Sequence, residues 1–165
     1  MENIIIGNIF ALISSVFMII SGVVKDSKLF LRLQNIELLF IVFSNLFLKG
    51  YTGIIVSIVA IIINILCYRN KLTLKIKIFA VIMQTILCIV FNNLNFIGLL
   101  PLFATIIGIF FVTIDAKKLK VLSIIIIFLW LVYDLTIQSY VSAVFDVFTI
   151  ITSFVGLYRI FVGNK

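Results

Sequence analysis

The sequence predicts an all-α membrane protein, and three observations lead to that fold class. Of its 165 residues, 64% are hydrophobic and 12% are charged, a composition that water could not keep dispersed. Its apolar runs do not alternate with polar residues, which argues against a membrane β-barrel. A helix needs about 20 residues to cross the hydrocarbon core, so short connections leave room for roughly seven crossings and no second domain.

Seven apolar runs define the predicted transmembrane helices, and short polar or charged turns separate them. The first run is predicted to be a retained helix rather than a secretory signal, because Met1, Glu2 and Asn3 supply no basic n-region. The only proline, Pro101, falls near the start of the fifth run. The runs cover Ile4–Val24, Leu29–Leu48, Tyr51–Tyr68, Ile76–Phe91, Phe96–Ile114, Leu119–Leu135 and Tyr140–Val162.

Lysine and arginine predict how the bundle is oriented, because cytoplasmic loops carry the positive excess. With seven helices, every basic residue except Lys49 falls on one side. The N-terminus is therefore predicted outside and the C-terminus in the cytoplasm. The same distribution accounts for the net charge of +7 without a nucleic-acid surface, and it leaves the lipid bilayer as the expected partner. The residues on that side are Lys25, Lys28, Arg32, Arg69, Lys71, Lys75, Lys77, Lys117, Lys118, Lys120, Arg159 and Lys165.

The residue inventory argues against catalysis. Histidine is absent, which removes the commonest general base and the commonest transition-metal ligand. Cys67 and Cys88 both lie inside apolar runs and are predicted to be free thiols. No Gly-rich phosphate loop, metal motif or nucleophile elbow is present. We expect a protein that is not an enzyme and that holds no cofactor or metal.

An internal repeat divides the predicted bundle. Residues 25–69 laid over 115–159, a shift of 90, match Phe43 with Tyr133 and Tyr68-Arg69 with Tyr158-Arg159, with a slip of one residue in the second turn. The unit is three helices, and the fourth helix lets both units face the same way, which is a parallel 3+1+3 plan. The units are residues 1–71 and 95–165, with a linker helix at 72–94. Chance similarity of apolar segments is the alternative.

The stretch from Leu129 to Asp134, Leu-Trp-Leu-Val-Tyr-Asp, resembles the Leu-Trp-x-x-Tyr stretch of the SWEET and SemiSWEET sugar transporters of the MtN3/PQ-loop superfamily. Within that superfamily the length, the Trp-x-x-Tyr and the late Tyr-Arg are similar to the bacterial inner membrane protein family YgjV. The resemblance implies a SWEET-like fold in the inner membrane. It also implies a small sugar held between the units by a tryptophan, here Trp130, and an asparagine, whose level here carries Asp146 or Ser57. The superfamily's proline hinges have no counterpart.

Carboxylates inside transmembrane segments are costly and often mark a pathway. Glu37 and Asp146 are expected inside the lipid, Asp146 about 9 Å below the outer surface at 1.5 Å per residue, and Asp134 is expected at the outer interface in contact with water. Because Asn64 should lie at the depth of Glu37, we expect a Glu37–Asn64 hydrogen bond. The alternative for all three acids is a structural hydrogen bond between helices.

Two functions follow, and the sequence leaves both open. The first is a transporter or facilitator of a small polar solute, with Trp130, Tyr133, Asp146, Phe40 and Ser57 lining a site between the units. The second is a non-transporting membrane protein, a lipid-binding or complex-stabilising subunit on the same fold. Trp130 and Tyr133 could equally form an interfacial aromatic belt, and a homo-oligomer is a further open alternative.

Overall fold

Every regular element in the computed structural model, which describes residues 1–23, 27–111 and 116–162, is helical. The seven predicted helices are confirmed in these ranges, each with boundaries close to those of its apolar run. Side chains are described for residues 1–20, 29, 31–110, 124–151 and 154. The elements are α1 (Glu2–Val23), α2 (Ser27–Leu48), α3 (Tyr51–Tyr68), α4 (Leu74–Phe91), a 3-10 turn (Ile97–Leu99), α5 (Leu100–Phe111), α6 (Ala116–Thr136) and α7 (Tyr140–Val162).

The described helices have the composition that lipid requires. Each of α1 to α4 contains at least 18 consecutive residues apolar enough to cross a bilayer, and the described parts of α5, α6 and α7 hold shorter apolar stretches. On α1, Ile5, Ile9 and Leu12 are exposed, whereas Ser14 and Ser15 are buried. Because apolar groups face outward and hydroxyls face inward, the solvent of this bundle is hydrocarbon.

The helices pack as two consecutive sets joined at their edges. Helix α2 packs against both α1 and α3, and α6 packs against both α5 and α7. The sets meet where α1 contacts α7 and where α3 contacts α5, and α4 packs against α3 and α5. Pro101 is the second residue of α5, a position where the missing N–H removes no intrahelical hydrogen bond.

The turns after α2 and α6 have the same geometry. Lys49 and Gln138 adopt left-handed backbone angles, with φ of 58° and 62°. The next residue in each turn then donates its N–H to a carbonyl five residues back, Gly50 to Asn45 and Ser139 to Asp134, both at 2.8 Å. Such turns satisfy carbonyls that the end of a helix leaves without partners.

Side chains tie these turns to other helices, so they share one end of the bundle, which we call the Gly50 end. Asn8 of α1 donates to the carbonyl of Gln138 at 2.9 Å and accepts the N–H of Val141 at 2.9 Å. Asn93, after α4, donates to the carbonyl of Lys49 at 3.1 Å. The opposite end, where α2 begins and α3 ends, is the Arg69 end.

At the Arg69 end, Arg32 contacts Tyr68, so Arg32 and Arg69 lie on the same side, as the charge pattern predicted. The matching positions Tyr158 and Arg159 have side chains outside the described residues. So do seven of the basic residues assigned to this side, namely Lys25, Lys28, Lys117, Lys118, Lys120, Arg159 and Lys165.

Candidate functional site

One acidic side chain inside the bundle lies within electrostatic range of two others, and the three come from three helices. Asp146 on α7 lies within electrostatic range of Glu37 on α2 and of Asp134 on α6. Helices α2 and α7 belong to different sets, so this acidic cluster bridges them. In the part of the chain with described side chains, none of the three forms an ion pair with a lysine or arginine. Ionised carboxylates near one another in low dielectric repel, so the cluster adds no attractive charge pair to the bundle.

Several buried acceptor atoms of the bundle have no hydrogen-bond partner among the described residues. They are Oδ2 of Asp146, Oγ of Ser57 and Oδ1 of Asn45. Ser57 and Asn45 are 1% and 2% exposed, so bulk water cannot hydrogen-bond to them. An unpartnered buried acceptor costs about 1–3 kcal/mol, and a site that receives a ligand is a common reason for one. All three atoms require a donor.

Tyr133 of α6 fills a notch in the turn between α2 and α3. Its Oη accepts the N–H of Gly53 at 3.0 Å and lies 3.4 Å from Oγ1 of Thr52. A Cβ atom at Gly50 or Gly53 would come within 2.8 Å of that oxygen, so only glycine leaves room for the ring. Tyr133 is fully buried, which makes the interfacial-belt interpretation wrong for this residue.

Trp130 lies one helical turn before Tyr133 and is half-buried. The two rings meet edge to face, with centroids 5.8 Å apart. Trp130 packs against the cluster that contains Tyr133 and also against a second cluster of Val56, Cys88 and Leu102. Because these residues come from α3, α4 and α5, the indole is set among helices of both sets.

Phe40, predicted to line the same site, packs instead against α1. Its ring stacks on Phe10 and Phe17 at centroid distances of 6.3 and 5.8 Å. Its neighbour Phe43 also contacts Phe10, at 5.5 Å, and is exposed. These rings join α1 to α2 within one set, so the structure does not bring Phe40 together with Trp130.

Two detailed expectations about the polar residues are wrong. The amide of Asn64 donates to Oε1 of Gln34 at 3.0 Å, and no hydrogen bond joins it to Glu37 among the described residues. Gln34 and Glu37 share a helix face, so matching depth alone could not separate them. Asp134 is 6% exposed rather than in contact with water, because α6 is packed on both sides at the Gly50 end.

Two further amides, which carry less information than the acids in the sequence alone, are buried in the structure. Asn45 accompanies Tyr133 in the notch, and Gln84 on α4 is fully buried with neither side-chain polar atom partnered among the described residues. The signal that singled out the carboxylates, a polar side chain inside an apolar run, applies equally to amides. Within the described residues no three His, Cys, Asp or Glu side chains are arranged to hold a metal ion.

Comparison with known proteins gives one match. The family model described as Imp-YgjV, bacterial inner membrane protein, matches residues 5–163, nearly the whole chain. No curated protein and no solved structure matches.

Proposed function

The chain belongs to the Imp-YgjV family of bacterial inner membrane proteins, and from that premise we propose that it is a transporter or facilitator of a small, sugar-like polar solute. The site lies between the two three-helix units, α1–α3 and α5–α7. The observation that carries the proposal is Asp146, which has an unpartnered buried oxygen and lies between acidic groups of both units. Packing alone gives no reason to keep such a group inside lipid.

The arrangement of helices supports the two-unit plan. A two-fold axis normal to the membrane that exchanges the units would map the contact of α1 with α7 onto the contact of α5 with α3, and both contacts occur. The left-handed residues after α2 and α6 are offset by 89 residues, 138 minus 49, although the turn after α3 has the same geometry at Asn70. The same offset pairs Ser57 with Asp146. Parallel repeats of this kind characterise transporters with a site at the repeat interface.

The chemistry of the unpartnered atoms indicates the class of solute. Asp146 Oδ2, Ser57 Oγ and Asn45 Oδ1 can each accept a hydrogen bond, and hydroxyl groups supply donors. A polyhydroxylated solute also offers an apolar ring face, for which Trp130 and its T-shaped partner Tyr133 are suited. This combination supports the SWEET-like function that the sequence suggested.

The proposed orientation has the Gly50 end outside and the Arg69 end in the cytoplasm. The basic residues support it, since Arg69, Lys71, Lys75 and Lys77 all belong to the Arg69 end or to the connection that leaves it. The N-terminus would then be outside and the C-terminus in the cytoplasm.

A non-transporting role on the same fold is the second candidate. The hydrogen bond that the Gly53 N–H donates to the Tyr133 hydroxyl favours it, because that bond joins the units and uses a side chain otherwise available to a solute. Such a protein would bind lipid or stabilise a membrane complex.

Uptake into proteoliposomes tests the transport proposal. The purified full chain is reconstituted and offered labelled mono- and disaccharides, polyols and small amines. We expect the wild type to take up at least one hydroxyl-rich solute faster than empty liposomes do. Asp146→Asn keeps the shape but replaces one acceptor oxygen with a donor, and it should reduce that rate at least tenfold, since a site that hydrogen-bonds a hydroxyl discriminates strongly.

Glu2→Gln is the matched control, because Glu2 is an exposed carboxylate on α1. It should transport at the wild-type rate. Transport is refuted by two results, namely no uptake of any solute by the wild type or equal uptake by wild type and Asp146→Asn.

A further inference from the structure

A groove of about 240 Å³ opens between the start of α2 and the end of α3, and none of the three acidic side chains lines it. It lies at the Arg69 end of the bundle, one face formed by α2 and the other by α3. Its lining combines two cations, two polar groups and two aliphatic side chains. These residues are Leu31, Arg32, Asn35, Ile65, Tyr68 and Arg69.

Tyr68 holds the Arg32 guanidinium in place. An N–H of Arg32 donates to the Tyr68 hydroxyl, and the guanidinium carbon lies 5.1 Å from the centre of the ring. A cation held this way has lost much of the rotamer freedom that binding would otherwise cost. In the part of the chain with described side chains, neither Arg32 nor Arg69 forms an ion pair with a carboxylate. The groove therefore presents two positive charges that no carboxylate with a described side chain neutralises.

The other residues that line the groove favour an anion that also carries a hydrogen-bond donor. Oδ1 of Asn35 is buried and has no hydrogen-bond partner among the described residues, so it can accept a hydrogen bond from a bound ligand. Leu31 and Ile65 present aliphatic surface beside the charges, and Ile65 is 40% exposed. A bare carboxylate supplies no donor, whereas a protonated phosphate or a phosphodiester with a hydroxyl-bearing headgroup supplies both the anion and the donor.

We propose that this groove binds a phosphate group. The planar forks of Arg32 and Arg69 bind its oxygens, and Asn35 accepts a hydrogen bond from its hydroxyl or from the attached headgroup. The group is carried either by an anionic phospholipid, whose acyl chains would lie along Leu31 and Ile65, or by free phosphate. The site is separate from the proposed solute site, and the basic residues of this end then do more than orient the chain.

Binding to the purified full chain in non-ionic detergent tests the proposal and separates the two sources. Short-chain phosphatidylglycerol, inorganic phosphate at constant ionic strength, and a phosphate-free diacylglycerol are titrated in parallel. Bound lipid is followed by native mass spectrometry and phosphate by equilibrium dialysis. We expect saturable binding of phosphatidylglycerol or phosphate, weakened at least tenfold by Arg32→Gln with Arg69→Gln. Lys71→Gln, an exposed cation outside the groove, should leave it unchanged.

Binding of phosphatidylglycerol alone identifies a lipid site, and binding of inorganic phosphate with the same arginine dependence identifies a free-phosphate site. Equal binding of diacylglycerol, or equal binding by the double arginine variant, overturns the proposal.

A second measurement uses the unaltered chain and does not depend on how the variants fold. Phenylglyoxal modifies accessible arginines, and peptide mapping locates the adducts. The ligand that binds should slow modification of Arg32 and Arg69 at least fivefold relative to the same salt without phosphate. Unchanged modification rates at both arginines would overturn the proposal.

Discussion

Gly53→Ala should lower the free energy of unfolding by about 1–3 kcal/mol, the usual cost of forcing extra atoms into a packed interior. The new methyl group would lie 2.8 Å from both Oη of Tyr133 and Nδ2 of Asn45. Tyr133 must then withdraw from the notch and lose its bond to the Gly53 N–H. Thermal unfolding in mild detergent measures the effect, and Trp130, the only tryptophan, reports it by fluorescence from beside Tyr133.

Gly108→Ala on α5 is the matched control, because its added methyl group meets nothing within 4 Å beyond its chain neighbours and the nearby backbone of its own helix. Alanine is the better helix former, so this variant should unfold at the wild-type temperature or slightly above it. Tyr133→Phe added to Gly53→Ala should cost less than the sum of the two single changes, since both remove the same bond. Equal destabilisation by Gly53→Ala and Gly108→Ala would contradict the account of the notch.

Asp146→Leu should raise the free energy of unfolding by about 1–2 kcal/mol, and it should abolish transport. An acidic group inside lipid is costly, and replacing buried charge with an apolar group of similar shape is often stabilising. Asp146 has an unpartnered oxygen and two acidic neighbours, so its removal relieves both desolvation and repulsion. The measurement is the same thermal unfolding curve, paired with uptake into proteoliposomes.

Val147→Leu, a lipid-facing change at the next position, should alter neither quantity. If Asp146 served only packing, its replacement by leucine would lower the free energy of unfolding instead of raising it. If Asp146→Leu unfolds well below the wild-type temperature, the acid stabilises the bundle and its functional interpretation fails.

Much of the fold could be predicted because lipid makes hydropathy nearly decisive. Long apolar runs must be helices, and the turns could be placed from charges such as Arg69 and Lys71. The position of Pro101 near the start of α5 was also correct. These features depend on composition along the chain, which the sequence states directly.

The lateral arrangement of side chains could not be predicted in the same way. Sequence position gives the depth of a residue in the membrane, but only packing determines which neighbour it faces. Asn64 therefore donates a hydrogen bond to Gln34 instead of Glu37, and Phe40 packs against α1. The burial of Asp134 likewise depends on how α5 and α7 pack against α6.

That Asp146 of α7 points into the bundle within electrostatic range of Glu37 on α2 is the central claim, and cross-linking tests it most directly. Cysteines are introduced at Glu37 and Asp146 in a chain lacking Cys67 and Cys88, with a protease site inserted after Asn70 between the two positions. A short bifunctional thiol reagent, followed by proteolysis and denaturing electrophoresis, shows whether the fragments remain joined. We predict joined fragments for the Glu37/Asp146 pair and separate fragments for Glu37/Val147, because Val147 faces lipid. Joined fragments for the Val147 pair alone would place Asp146 outside the bundle and contradict the account.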